Sequence, residues 1–77
     1  AKEIVRAAVK NIKKTPFGKG KKKATLINSI SSYAAKDEQE ALAEAFADIY
    51  VNGDNANPLS KEIKRLTIER YNKYKGV

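Results

Sequence analysis

The chain has 77 residues, of which 32% are charged, a formal net charge of +7, and neither cysteine nor histidine. That length accommodates one domain with a small core, since domains near this size bury about 60% of the surface their unfolded chain exposes. The missing residue types exclude a disulfide framework, a thiol nucleophile, the commonest general base and most zinc ligands.

The chain therefore reads as a non-enzyme, with no catalytic, cofactor-binding or metal-binding residue expected. No run of 18 apolar residues is present, so no membrane partner is expected. Ala1 to Lys14 carries charges throughout and lacks the apolar stretch of a signal peptide. The net stability expected of one such domain is about 4–12 kcal/mol.

Charge is segregated along the chain. Residues 1–23 hold nine basic side chains against Glu3 alone, a net charge of +8. Residues 24–77 hold seven basic and eight acidic side chains, a net of −1. Within that second part, residues 37–50 carry −5 and residues 58–75 carry +4. An acidic helix followed by a basic one is expected to attract it, although exposed pairs contribute only about 0–1 kcal/mol each.

In chain order, the first helix is expected from about Lys2 to Lys14. Ile4, Val5, Ala8, Val9 and Ile12 form one apolar stripe at helical spacing. Lys13 and Lys14 fall in its last turn, where cations suit the helix dipole. Pro16 ends it by disfavouring helical geometry at Thr15. Phe17-Gly18-Lys19-Gly20-Lys21-Lys22-Lys23 reads as a flexible basic loop.

A second helix is expected over about Lys23 to Ala34, with Leu26, Ile27, Ile30, Tyr33 and Ala34 as its apolar face. Its polar face is made of Asn28, Ser29, Ser31 and Ser32, all weak helix formers, so packing must hold it. A tight break is expected at Ala35-Lys36. The third helix starts with Asp37 as N-cap and Glu40 three residues on, a variant of the capping box. Leu42, Ala45, Phe46 and Ile49 are its expected buried stripe, joined by Ala41 and Tyr50. Asn52-Gly53 is the stop signal. Asn57-Pro58 opens the fourth helix as N-cap and first helical residue. Leu59, Ile63, Leu66, Thr67, Tyr71 and Tyr74 are its expected inner face, and it ends just before Gly76. The fold class is thus all-α: a single small domain of three to four helices over residues 1–77, with a basic loop between the first two. The helical core is expected over residues 24–75.

Four groups of side chains invite a functional reading. Lys13, Lys14, Lys19, Lys21, Lys22 and Lys23 suit a phosphate backbone or an acidic partner, and Phe17 suits a base to stack on. The simpler reading is a solvated loop that keeps the domain soluble. Any affinity for nucleic acid is expected to be weak and sequence-independent. Glu40 and Glu44, one helical turn apart, have the spacing of a carboxylate pair, but helix capping and solvent exposure account for them equally. Asp54, Asn55 and Asn57 lack the spacing and terminal glutamate of a calcium loop and read as a turn. Tyr33, Tyr50, Tyr71 and Tyr74 are expected at the edge of the core.

Ser31 to Asp48, S-x-Y-A-x-x-x-x-x-E-A-x-A-E-A-F-A-D, followed by N-G-D-N-A-N-P-L-S-K-E-I at Asn52 to Ile63, resembles the C-terminal part of phage head-morphogenesis (minor capsid) proteins. The resemblance covers about 30 residues well and the basic N-terminal part loosely. It implies a non-catalytic helical domain of a phage or prophage minor head protein, working through protein–protein contacts. Its partners would be other head proteins or the rest of a larger parent chain. Its location would be the bacterial cytoplasm or the virion. The E-x-x-A-E-A-F kernel is also similar to a helix of gluzincin-type metalloproteases such as anthrax lethal factor, where its first Glu is a zinc ligand. That position is Glu40 here. This chain departs from the family in lacking the H-E-x-x-H helix, so Glu40 alone cannot hold zinc, and the alternative this similarity implies is the C-terminal remnant of a zincin-like metalloenzyme.

Overall fold

The computed structural model describes residues 2–74. Its elements are α1 (Lys2–Ile12), α2 (Lys23–Asn28), α3 (Glu38–Asn52), a short 3-10 turn (Gly53–Asn55) and α4 (Pro58–Tyr74). The chain is all-α, with no strand among the described residues. Gly76, expected beyond the end of the last helix, lies outside them.

α4 is the axis of the assembly, and both long partners run antiparallel to it. Glu3 at the start of α1 pairs with Arg70 near the end of α4 at 3.0 Å. Asn11 at the end of α1 donates to Glu62 near the start of α4 at 2.8 Å. Asp48 of α3 accepts from Ser60 of α4 at 2.7 Å, across the hairpin that joins them. α1 and α3 therefore run parallel to each other. One hydrophobic cluster joins all four helices: Ile4, Val5, Ala8, Val9 and Ile12 of α1, Leu26 and Ile27 of α2, Ala34, Ala41 and Ala45, and Leu59 and Ile63 of α4. The stripe read from the sequence of α1 is the stripe that is buried.

The helix signals at both ends of the hairpin operate as expected. The Asp37 carboxylate accepts from the backbone N–H of Glu40 at 2.8 Å. Gly53 follows α3 with a φ of +53°, a geometry glycine adopts without steric cost. Asn57 Oδ1 accepts from the N–H of Leu59 at 2.9 Å, with Pro58 opening the helix.

Three expectations are corrected. α1 ends at Ile12 and α2 at Asn28, short of Lys14 and Ala34. Residues 29–34 are turns in place of helix, and the break expected at Ala35-Lys36 is also a turn. Two of the four polar residues that were to line the face of α2, Ser29 and Ser31, bond to local backbone instead. Ser29 Oγ donates to the Leu26 carbonyl at 2.5 Å, and Ser31 Oγ accepts from Ala34 N at 3.1 Å. Serine side chains compete in this way with helix continuation.

The second correction concerns α3. Ala41 and Ala45 are fully buried, Leu42 and Ile49 half-buried, and Phe46 is 37% exposed. An alanine-rich helix has two apolar sides. The small one faces the core because it lets the neighbouring backbone approach closely, which rotates Phe46 to the flank.

The third correction is at the tyrosines. Tyr33 is exposed, Tyr50 is 92% exposed, and Tyr71 and Tyr74 are exposed at 59% and 91%. Glu3 already lies opposite Arg70, so the last turn of α4 runs past the first turn of α1. The anticipated attraction between α3 and α4 also leaves no ion pair across their interface among the described residues. Arg65 pairs with Glu62 and Glu69 of its own helix, and Glu38 pairs with Lys23.

Candidate functional site

The basic segment between α1 and α2 is wound into consecutive turns. The N–H of Thr15 donates to the Ile12 carbonyl at 2.9 Å, that of Lys19 to Thr15 at 2.9 Å, and that of Lys21 to Gly18 at 3.1 Å. The Thr15 hydroxyl donates to the same Ile12 carbonyl at 2.6 Å. Phe17 is half-buried and packs on the core cluster. Gly18 is buried against Ile12, and a Cβ there would lie 2.2 Å from the carbonyl oxygen of Ile12. Its role is close approach to backbone. Gly20, with φ of +79° and open space around it, serves the turn instead.

The six lysines singled out from the sequence divide. Lys13, Lys14, Lys19, Lys21 and Lys22 are exposed, and none has an ion-pair partner among the described residues. Lys23 is half-buried and meets Glu38 at 3.3 Å. That contact holds the Glu38 carboxyl below its ordinary value, with the Lys23 hydrogen bond as the main cause. Lys21 Nζ lies 4.3 Å from the centroid of the Phe17 ring. With one side against the core and an ammonium over its ring, Phe17 is not presented for base stacking. From Ile4 to Lys36 the chain has nine basic side chains and no carboxylate.

The Glu40/Glu44 pair does not act together. Glu40 contributes its backbone N–H to the Asp37 cap, whereas Glu44 Oε1 accepts from Ser31 Oγ at 2.7 Å and ties the turn 29–36 to α3. Among the described residues no group of three His, Cys, Asp or Glu side chains is placed to hold a metal ion.

The polar centre that sequence reasoning missed is Asp48. Its carboxylate accepts from Asn52 Nδ2 at 2.7 Å, from the N–H of Asn57 at 2.9 Å and from the fully buried Ser60 Oγ at 2.7 Å. Asn57 Nδ2 in turn donates to Ser29 Oγ at 2.8 Å, and the Lys61 ammonium donates to the Asp54 carbonyl. Burial pushes the Asp48 carboxyl up, but the hydrogen bonds from Ser60, Asn52 and Asn57 outweigh it and leave it below the usual aspartate range. These groups are satisfied by each other and fix the hairpin. The available signal was the i, i+4 spacing of Asp48 and Asn52 just ahead of a second helix start.

The outer face of the α3–α4 hairpin carries large apolar side chains. The Glu44 flank of α3 is covered by Ser31, and the Glu62 flank of α4 is covered by α1. In an antiparallel pair of right-handed helices, the flanks opposite to these fall together on the other side. Phe46 and Tyr50, one turn apart on α3, lie toward that side, with Ile68 and Tyr71 of α4. No family model, curated protein or solved structure matches the chain.

Proposed function

We propose that this chain is a non-catalytic helical domain of a phage or prophage minor head protein, acting by protein–protein contact during head assembly. Its place of action is the bacterial cytoplasm or the virion. The resemblance of Ser31–Ile63 to such proteins motivates the assignment. The observation that carries the contact role is the number of large apolar side chains left exposed on the hairpin helices: Phe46 and Tyr50 on α3, and Ile68, Tyr71 and Tyr74 on α4. Large apolar side chains left exposed on a small domain suit an interaction site, and tyrosine is enriched where interfaces are desolvated. The hairpin beneath is fixed by two helix caps and by the Asp48 hydrogen bonds, so the face is presented on rigid elements.

The test is affinity purification of the tagged chain from cells assembling heads, together with protein analysis of purified particles. Head proteins should co-purify with the wild-type chain and be lost with the Tyr50→Ser/Tyr74→Ser variant. Both residues are more than nine-tenths exposed, so the substitutions leave the fold intact. A chain absent from particles, or head proteins retained equally by the variant, would refute the assignment.

A further inference from the structure

We infer that the turns between α1 and α2 form a sequence-independent contact for nucleic-acid phosphates, with Lys10, Lys13, Lys14, Lys19, Lys21 and Lys22 as its charges. This rests on the basic half of the molecule and is independent of the hairpin face.

The charge there is uncompensated by arrangement as well as by composition. Arg70 is matched by Glu3, Lys23 by Glu38, and Arg65 by Glu62 and Glu69. The six named lysines are exposed and have no carboxylate partner among the described residues. Lys10 stands one helical turn before Lys13 and Lys14, which extends the cluster along α1. The turn hydrogen bonds, the packed Phe17 ring and the close approach of Gly18 hold the backbone that carries these ammonium groups. Binding then requires ordering of lysine side chains and little ordering of main chain.

The side chains also select the kind of polyanion. A lipid surface is held by apolar groups that enter it beside the cations. The aromatic ring here is half-buried under Lys21 and cannot insert. Acidic protein partners are bound through cores that favour aromatic residues and arginine and disfavour lysine. Exposed lysines act as point charges, which suits a phosphate backbone. Asn11, the amide nearest along the chain, is engaged by Glu62 at 2.8 Å and is not free to read a base edge.

Fluorescence anisotropy of the full chain with two unrelated DNA duplexes, across 50 to 200 mM salt, tests this. Equal affinity for both duplexes is expected. The slope of log K against log salt should be about −0.9 per phosphate met, so five or six contacts weaken binding several hundred-fold or more over that range. Lys19→Gln/Lys22→Gln should make the slope shallower by about 2, while Lys64→Gln, an exposed lysine on α4, should change it by less than about 1. Circular dichroism establishes that each variant is folded. Tight binding to only one duplex, a slope unaltered by the double variant, an equal change from Lys64→Gln, or binding confined to anionic phospholipid vesicles would each overturn the inference.

Discussion

The two halves of this molecule solve the same problem by different means. In the hairpin half, α3 and α4, polar side chains do the fixing. Asp37 and Asn57 cap the helix starts, Asp48 gathers three donors, and every ion pair among the described residues includes at least one residue of α3 or α4. In the half before it, α1 is held by a continuous apolar stripe, and the following turns by steric fit at Phe17 and Gly18. Its cations are left outside. A small core can thus be closed on one side by hydrogen bonds that use up the polar groups, and on the other by packing that leaves charge exposed.

The largest effects are expected where the halves meet. Leu59 is fully buried in the cluster that joins α1 to α4, and Leu59→Ala should cost about 2–5 kcal/mol. Against a total of about 4–12 kcal/mol, that loss unfolds much of the population. Phe46, larger but 37% exposed, should cost only about 1–2 kcal/mol as alanine. Urea melts of the two variants make the measurement. A Phe46 variant as unstable as the Leu59 variant would mean that the large residues of α3, and not its alanines, hold the interface.

A second comparison sits inside the basic half. Gly18→Ala drives a methyl group toward the Ile12 carbonyl, and overpacking of this kind costs about 1–3 kcal/mol. Gly20→Ala meets open space but keeps a positive φ, at about 1 kcal/mol. Thermal melts should therefore rank Gly18→Ala below Gly20→Ala. The reverse order would show that turn geometry, and not close packing, sets the path of the lysine-bearing segment.

How much of this was legible in the sequence follows from the range of the interactions. Helix starts at Asp37 and Asn57 and the stripe of α1 are local patterns, and they were readable. The phase of α3 was readable only in part: Ala41 and Ala45 of the expected stripe are inside, but the apolar arc runs on through Leu42 and Ile49 to Phe46, and only the neighbour decides which edge of it is buried. The end of α2 depends on serine hydroxyls choosing local carbonyls. The role of Gly18 depends on Ile12 lying directly above it. Among the lysines, sequence gave no reason to separate Lys23, whose partner Glu38 is brought alongside by the fold. The exposed tyrosines were misjudged because a tyrosine at inner-face spacing looks the same whether or not a neighbouring helix reaches that far.

The smallest effect tests whether the hairpin half owes its order to charge. Asp48→Asn keeps the shape but presents an amide to donors that need a carboxylate, and should cost about 1 kcal/mol at neutral pH. Its folded carboxyl lies below the ordinary aspartate range. The stabilisation is therefore complete above the unfolded value and is lost as pH falls through the folded one, from about pH 5 downward. The gap between wild type and variant should be widest near pH 7 and narrow toward pH 3. Glu38 and Glu62 are lowered in the same direction, chiefly by Lys23 and Arg65, so the variant itself still loses stability in acid. Urea melts of both proteins at several pH values measure the gap directly. A gap that stays constant from neutral to acid would show that Asn52, Asn57 and Ser60 hold the hairpin through shape and neutral hydrogen bonds, with the charge of Asp48 contributing nothing.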